Sequence, residues 1–156
     1  MRILFVLTLY FCNVAAYAQK NDIPTQLTTV DGKVFSLKDL NDKVLVINYW
    51  FLACGPCILE IPNLKAVSNE FKGNEKLYFI AITPRDEAEQ LIYFKKKKDF
   101  GYHLIAKNNV WPKAHDIAIY PTNIIIKNGK IVYRSTGYNK DIKEELVIQI
   151  KNALNN

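Results

Sequence analysis

The feature that most constrains this chain is a pair of cysteines separated by two residues. The pair lies where an apolar run ends and a helical pattern begins. A buried strand is predicted by the run Val44-Leu45-Val46-Ile47-Asn48-Tyr49-Trp50-Phe51, and Cys54-Gly55-Pro56-Cys57 follows closely. Residues 58–71 then repeat apolar side chains at helical spacing. The N-terminus of a helix carries partial positive charge and unpaired N–H groups. Because both stabilise a thiolate, this placement predicts a reactive dithiol.

The order of predicted elements indicates an α/β fold. A hairpin is expected over 28–37, where Asp31-Gly32 is a turn signal, and Asn128-Gly129 predicts a second hairpin. The other predicted elements are strands at 43–51 and 77–83, helices at 57–71, 86–100 and 140–154, and short elements at 102–107 and 110–116. A strand–helix–strand unit implies parallel pairing, whereas an Asn-Gly hairpin is antiparallel. We therefore predict a mixed central sheet flanked by helices, with an N-terminal β-hairpin.

The first residues have the pattern of a signal peptide. Arg2 gives a positive start, Ile3 to Phe11 form an apolar core, and Ala16-Tyr17-Ala18 fits a small-x-small cleavage site. The apolar core is shorter than the about 20 residues that a membrane span needs, although an uncleaved anchor is the alternative. We therefore expect residues 1–18 to be a signal peptide and residues 19–156 to be one domain, in the periplasm or another extracytoplasmic space.

Cleavage at that site would leave a mature chain whose two cysteines both belong to the CxxC. It removes Arg2 and Cys12, so the net charge of +6 falls by one to +5. Export would place the dithiol in a compartment where disulfides persist. The basic excess is densest at Lys95-Lys96-Lys97-Lys98, which suits a solvated helix end. We expect no nucleic-acid partner, because an exported chain without a recognition motif gives no support for one.

Three interpretations of the CxxC are open. A structural zinc site needs four ligands, and only His103 and His115, from separate segments, could join the cysteines. A structural disulfide that closes so short a loop would contribute only about 2 kcal/mol in the loop-entropy model. A redox dithiol suits an exported chain with a strand before the motif and a helix after it. We favour the redox dithiol, which needs no metal or organic cofactor.

Two segments resemble the TlpA/ResA branch of the thioredoxin superfamily. Asn48 to Pro62 resembles the active-site segment of that family. Tyr120-Pro121-Thr122, with the hairpin at 124–130, resembles its cis-proline loop and final hairpin. The resemblance covers roughly residues 24–154 in element order, so it implies a thioredoxin-like domain over 19–156.

The resemblance also implies roles for the motif itself. Cys54 would be the exposed attacking thiol and Cys57 the buried resolving thiol. Gly55 and Pro56, between them, would lie against the bound substrate. Ala53 stands where most members of the family have tryptophan, which removes part of the usual substrate-facing surface.

Outside the motif, the resemblance singles out three more residues. Pro121 would follow a cis peptide bond, and the backbone beside it and Tyr120 would pair with the substrate chain. Glu60 occupies the position of a family glutamate that handles protons near the dithiol, and the alternative is a helix-surface carboxylate. Asn48 stands where thioredoxin has a buried aspartate and cannot be a base, which shifts that role to Glu60 or water.

The sequence thus predicts an exported thiol–disulfide oxidoreductase that reduces disulfides of envelope proteins. The resemblance suggests apocytochrome c among its substrates. A membrane thiol-shuttle protein would supply the electrons, and we expect a monomer. Two alternatives stay open: a Cu(I) metallochaperone with Cys54 and Cys57 as soft ligands, and a thiol peroxidase of the related peroxiredoxin branch.

Overall fold

The computed structural model describes residues 24–98 and 100–155. The predicted signal peptide, residues 1–18, lies outside the described residues. Among the helices that are described, none has the length and apolar character required to cross a membrane.

Seven strands and four α-helices make up the described chain. The strands are β1 (Gln26–Thr28), β2 (Val34–Ser36), β3 (Val44–Tyr49), β4 (Leu77–Ile82), β5 (His103–Ile105), β6 (Thr122–Lys127) and β7 (Lys130–Thr136). The helices are α1 (Gly55–Glu70), α2 (Ala88–Lys97), α3 (Val110–Ala114) and α4 (Ile142–Asn155), and a 3-10 helix covers Leu37–Leu40.

The central sheet has the strand order β5-β4-β3-β6-β7. β3 pairs with β4 in parallel and with β6 antiparallel, so it is the middle strand. β1 and β2 form a separate antiparallel hairpin. The Asn128-Gly129 turn joins β6 to β7 with φ values of 51° and 70°, the left-handed conformation that this turn requires. The predicted mixed sheet with an N-terminal hairpin is therefore confirmed.

Both faces of the sheet are covered, which explains the continuous apolar run of β3. Val44 and Val46 face the core formed with α1, α2 and α4. Leu45 and Ile47 alternate with them and face a second core that includes Trp111 of α3. α4 buries the four side chains expected from its helical spacing, namely Ile142, Leu146, Ile150 and Ala153.

Three helices begin at different residues from those predicted, and α4 begins at Ile142 rather than residue 140. α1 begins at Gly55 rather than residue 57, because Cys54 is its N-cap and Pro56 fits the first turn, where no N–H bond is needed. α2 covers Ala88–Lys97 rather than 86–100. Its N-terminus lies after Glu87, whose backbone N–H donates to Gln90 Oε1 at 3.0 Å.

Candidate active site

The two cysteines of the motif form a disulfide at the N-terminus of α1. Their Cα atoms lie 5.2 Å apart. Cys54 has extended backbone angles as the N-cap, and its Sγ accepts the backbone N–H of Cys57 at 3.2 Å. One of the free N–H groups of the helix end therefore points at this sulfur. A donor in that position favours negative charge on Cys54 once the disulfide is reduced.

The cysteines are buried, whereas the residues between and before them are exposed to solvent. Cys54 is 5% exposed and Cys57 is 2% exposed. The expectation of an exposed Cys54 is therefore wrong for the disulfide form, whereas Cys57 is buried as expected. Gly55 and Pro56 are exposed, as is Ala53. The surface at the motif is thus formed by these three residues, with the sulfurs beneath it.

A buried carboxylate holds the loop that leads into the disulfide. Asp86 Oδ2 accepts the backbone N–H of Leu52 at 2.8 Å and the Thr83 hydroxyl at 2.7 Å. The backbone N–H of Cys54 donates to the Phe51 carbonyl at 3.0 Å. The segment after β3 is therefore tied to the segment after β4.

Three loops meet at an aromatic edge beside the motif. The rings of Phe51 and Tyr120 are 5.4 Å apart and close to perpendicular. The Arg85 guanidinium carbon lies 4.2 Å from the centroid of the Phe51 ring, a cation–π distance. The Tyr120–Pro121 peptide bond is cis, as predicted. Pro121 is buried, and its carbonyl accepts the backbone N–H of Gly137 at 2.8 Å.

Glu60 lies in the interior, one turn after Cys57 on α1. Its exposed fraction is 0%, so the helix-surface alternative is wrong. Asn123 Nδ2 donates to Glu60 Oε2 at 3.0 Å, and Asn48 Nδ2 donates to Asn123 Oδ1 at 2.9 Å. Burial raises the pKa of Glu60 to about 7, although hydrogen bonds from Asn123 and the Asn139 backbone oppose the rise. Glu60 Oε1 has no hydrogen-bond partner within the described part of the chain.

The two histidines lie away from the disulfide. His115 Nδ1 is 2.6 Å from the Tyr49 hydroxyl, and its ring packs against Trp111. His103 packs against Phe35. These neighbours belong to the core on the opposite face of the sheet from the cysteines. The structure therefore does not bring together the four ligands that the zinc hypothesis considered.

Comparison with known proteins agrees with this arrangement. Residues 18–150 match the family model described as Redoxin. The chain belongs to the Redoxin family. It is 31% identical over 123 residues to the thiol-disulfide oxidoreductase ResA of a Bacillus cereus strain, and the match covers 77% of this chain and 69% of the relative. The protein is thus a thiol–disulfide oxidoreductase, and the resemblance to the ResA branch is confirmed.

Solved structures show the same fold. A proposed protein disulfide isomerase from Bacteroides thetaiotaomicron superposes with a TM-score of 0.74 at 28% identity, covering 84% of this chain and 86% of that one. A thiol:disulfide interchange protein of the thioredoxin family, from Chlorobium tepidum TLS, gives a TM-score of 0.71 at 24% identity, covering 83% and 92%. The thioredoxin-like fold of the protein is confirmed.

Three side chains at the site were not predicted from the sequence: Asp86, Arg85 and Asn123. Arg85 and Asp86 lie three and four residues after the end of β4, and the carboxyl ends of parallel strands meet at one edge of a sheet. Asn48 lies within the apolar run of β3, and Asn123 directly precedes the apolar run of β6. Polar residues in such runs must find buried partners, so this pattern was the available signal.

Proposed function

We propose that the protein is an exported reductant of disulfides in envelope proteins, with Cys54 attacking and Cys57 resolving. The observation that carries this proposal is the N-cap geometry, in which the Cys57 N–H points at Cys54 Sγ. The buried Glu60, one helical turn further on, supports it. In this proposal residues 1–18 are a cleaved signal peptide and residues 19–156 are the functional domain.

The first step is attack by the reduced enzyme on a substrate disulfide. The Cys54 thiolate forms a bond to one substrate sulfur, and the substrate S–S bond breaks. The departing substrate sulfur leaves as a thiolate and takes a proton from water. The result is a mixed disulfide between Cys54 and the substrate.

The second step releases the substrate. Glu60 and Cys57 are three residues apart on α1, a spacing that puts two side chains on the same side of a helix. In this proposal Glu60 takes the Cys57 proton. The Cys57 thiolate then attacks Cys54 Sγ, the Cys54–Cys57 bond forms, the mixed disulfide breaks, and the second substrate sulfur leaves as a thiolate. Two electrons have passed from the dithiol to the substrate, and Glu60 holds one proton. A pKa of about 7 suits a group that exchanges protons near neutral pH.

Substrate docking is assigned to the surface around the motif. Gly55 and Pro56 are exposed above the sulfurs, and the backbone of Tyr120, beside Pro121, would pair with an extended substrate segment. The ring of Tyr120, which packs against Phe51, would form one side of the substrate-binding surface. A substrate disulfide docked in this way approaches Cys54 from the exposed side.

A reductant in an oxidising compartment needs a supply of electrons. We assign this supply to a membrane thiol-shuttle protein that reduces the Cys54–Cys57 disulfide after each turnover. By the resemblance to the ResA branch, the cysteines of apocytochrome c are a candidate substrate among envelope proteins. The protein would act as a monomer, with the CxxC as its whole redox centre.

The role assignment is tested by trapping. Cys57→Ser should accumulate mixed disulfides with envelope proteins on a non-reducing gel, whereas Cys54→Ser should not, because only Cys54 attacks the substrate. The double variant Cys54→Ser/Cys57→Ser provides the background. Equal trapping by both single variants would contradict the assignment. Cu(I) titration of the reduced protein and peroxide consumption with a thiol donor test the two alternatives in the same preparation.

A further inference from the structure

Three buried polar side chains are hydrogen-bonded in series between the sheet and α1: Asn48, Asn123 and Glu60. Asn48 of β3 and Asn123 of β6 are register partners. They lie on the face where Val46 and Ile125, their neighbours two residues along each strand, pack against the helices. Asn48 is 1% exposed and Asn123 is 0% exposed, so both amides must find protein partners.

We propose that Asn123, oriented by Asn48, is the residue that positions Glu60 for its proton transfers. The hydrogen bond from Asn123 Nδ2 engages Glu60 Oε2 and leaves Oε1 as the atom that takes the proton. This inference rests on the proposed proton-handling role of Glu60. Asn123 does not touch the sulfurs, so it is a positioning residue and not a catalytic one.

The hydrogen-bond network assigns the orientation of the Asn123 amide. Its Oδ1 accepts Asn48 Nδ2 at 2.9 Å, which directs Nδ2 toward Glu60. The reversed amide would place an oxygen against the carboxylate of Glu60 and two N–H donors against each other. Asn48 therefore selects the orientation in which Asn123 donates to Glu60.

Within the described residues, no cation balances the charge of Glu60. The titratable groups that face Glu60 or its neighbours are Cys57 on α1, Tyr102 before β5, Tyr133 on β7 and, through Tyr133, Glu145 on α4. Among the described residues this set has no lysine or arginine. Burial raises the pKa of both tyrosines, so they are neutral in the working range and supply no counter-charge.

The ionised form of Glu60 therefore depends on neutral donors. The donor that the structure shows is Asn123 Nδ2, 3.0 Å from Glu60 Oε2, and the Asn139 backbone lowers the pKa to a smaller extent. A hydrogen bond donated to a carboxylate favours the charged form, so removing the Asn123 donor should make Glu60 harder to ionise. The Asn139 backbone still lowers the pKa of Glu60 in that variant, so the effect should be partial.

The experiment follows the protonation of Glu60 in the disulfide form, where the cysteines do not titrate. The probe is the infrared C=O stretch of the protonated carboxyl, identified as the band that Glu60→Gln lacks. In Asn123→Leu, which removes the amide at similar volume, the midpoint of this band should rise by about one pH unit, a tenfold change. Ile125→Val, on the same strand and face, is the control for loss of packing and should leave the midpoint unchanged.

Asn48→Leu is a second, independent variant. If Asn123→Leu does not fold, the midpoint measured in Asn48→Leu tests the inference. It should shift the midpoint in the same direction by a smaller amount, since the Asn123 amide loses the partner that orients it. In the double variant Asn48→Leu/Asn123→Leu the shift should equal that of Asn123→Leu alone. Additive shifts, or an unmoved midpoint in both single variants, would overturn the inference.

The proposed function is judged by a different readout. The pH profile of Cys57 alkylation in the reduced protein should change in Glu60→Gln. If that profile is unchanged while Asn123→Leu shifts the infrared midpoint, the proton role of Glu60 fails and the positioning contact stands without it. If the profile changes while the midpoint does not shift in Asn123→Leu, the inference fails and the function stands.

Discussion

The carboxylate of Asp86 accepts the backbone N–H of Leu52 at 2.8 Å, two residues before the first cysteine of the disulfide. The same oxygen accepts the Thr83 hydroxyl at 2.7 Å. Asp86 is 8% exposed, so this contact is shielded from water. The position of the motif therefore depends on the loop after β4 as well as on the helix that follows the motif.

Replacing Asp86 should loosen that loop. Asp86→Ala leaves the Leu52 N–H and the Thr83 hydroxyl without their acceptor, and we expect the free energy of unfolding to fall by about 2 kcal/mol. Asp86→Asn keeps one acceptor oxygen and should lose less. Urea denaturation measures the stability, and the alkylation rate of reduced Cys54 measures the effect at the site. Equal stability of the wild type and Asp86→Ala would show that the contact contributes nothing.

Glu60 should make stability depend on pH. Its folded pKa is raised from 4.5 to about 7, so the folded state holds a proton that the unfolded chain releases. The stabilising contribution is present below about pH 4.5 and is lost as the pH rises to about 7, by about 3 kcal/mol in all. Glu60→Gln should lack this loss, so its stability relative to the wild type should increase from pH 4 to pH 8. A relative stability that stays flat over that range would contradict the raised pKa.

Tyr120 should matter for protein substrates and not for small ones. Tyr120→Ala removes the ring that packs on Phe51 at 5.4 Å, and we expect kcat/KM for insulin reduction to fall about three- to tenfold. Reduction of a small disulfide, which does not reach the Tyr120 ring, should be unchanged. Ile148→Ala, at an exposed position on α4, is the control. A matching loss with both kinds of substrate would point to a disturbed dithiol instead of a lost docking surface.

The reduction potential should be low. The Gly-Pro pair between the cysteines is also that of thioredoxin, whose potential is about −270 mV, whereas the oxidant DsbA has about −120 mV. That difference is about 7 kcal/mol for two electrons, more than Ala53 or Asn48 alone should reverse. Equilibration with dithiothreitol or glutathione buffers, followed by thiol counting, gives the value. A potential above about −180 mV, that of a disulfide isomerase, would refute the reductant assignment.

The features that sequence predicted well are those that depend on neighbouring residues. The apolar run of β3, the spacing that buries Leu146 and Ile150 on α4, and the Asn128-Gly129 turn are local patterns. The disulfide belongs to this group, because Cys54 and Cys57 are three residues apart and the helix N-terminus brings them together. Family resemblance added the cis bond before Pro121, which composition alone would not indicate.

Tertiary structure decided which buried polar groups meet. Asn48 and Asn123 are 75 residues apart, and Asn123 and Glu60 are 63 apart, so their contacts require the register of β3 against β6 and the docking of α1 on the sheet. The same holds for Asp86 and Leu52, 34 residues apart. Burial has no local signature for a single carboxylate, since exposure depends on what packs over it. The sequence therefore determined the dithiol and its helix, while packing alone decided that Glu60 is buried with an amide at one oxygen.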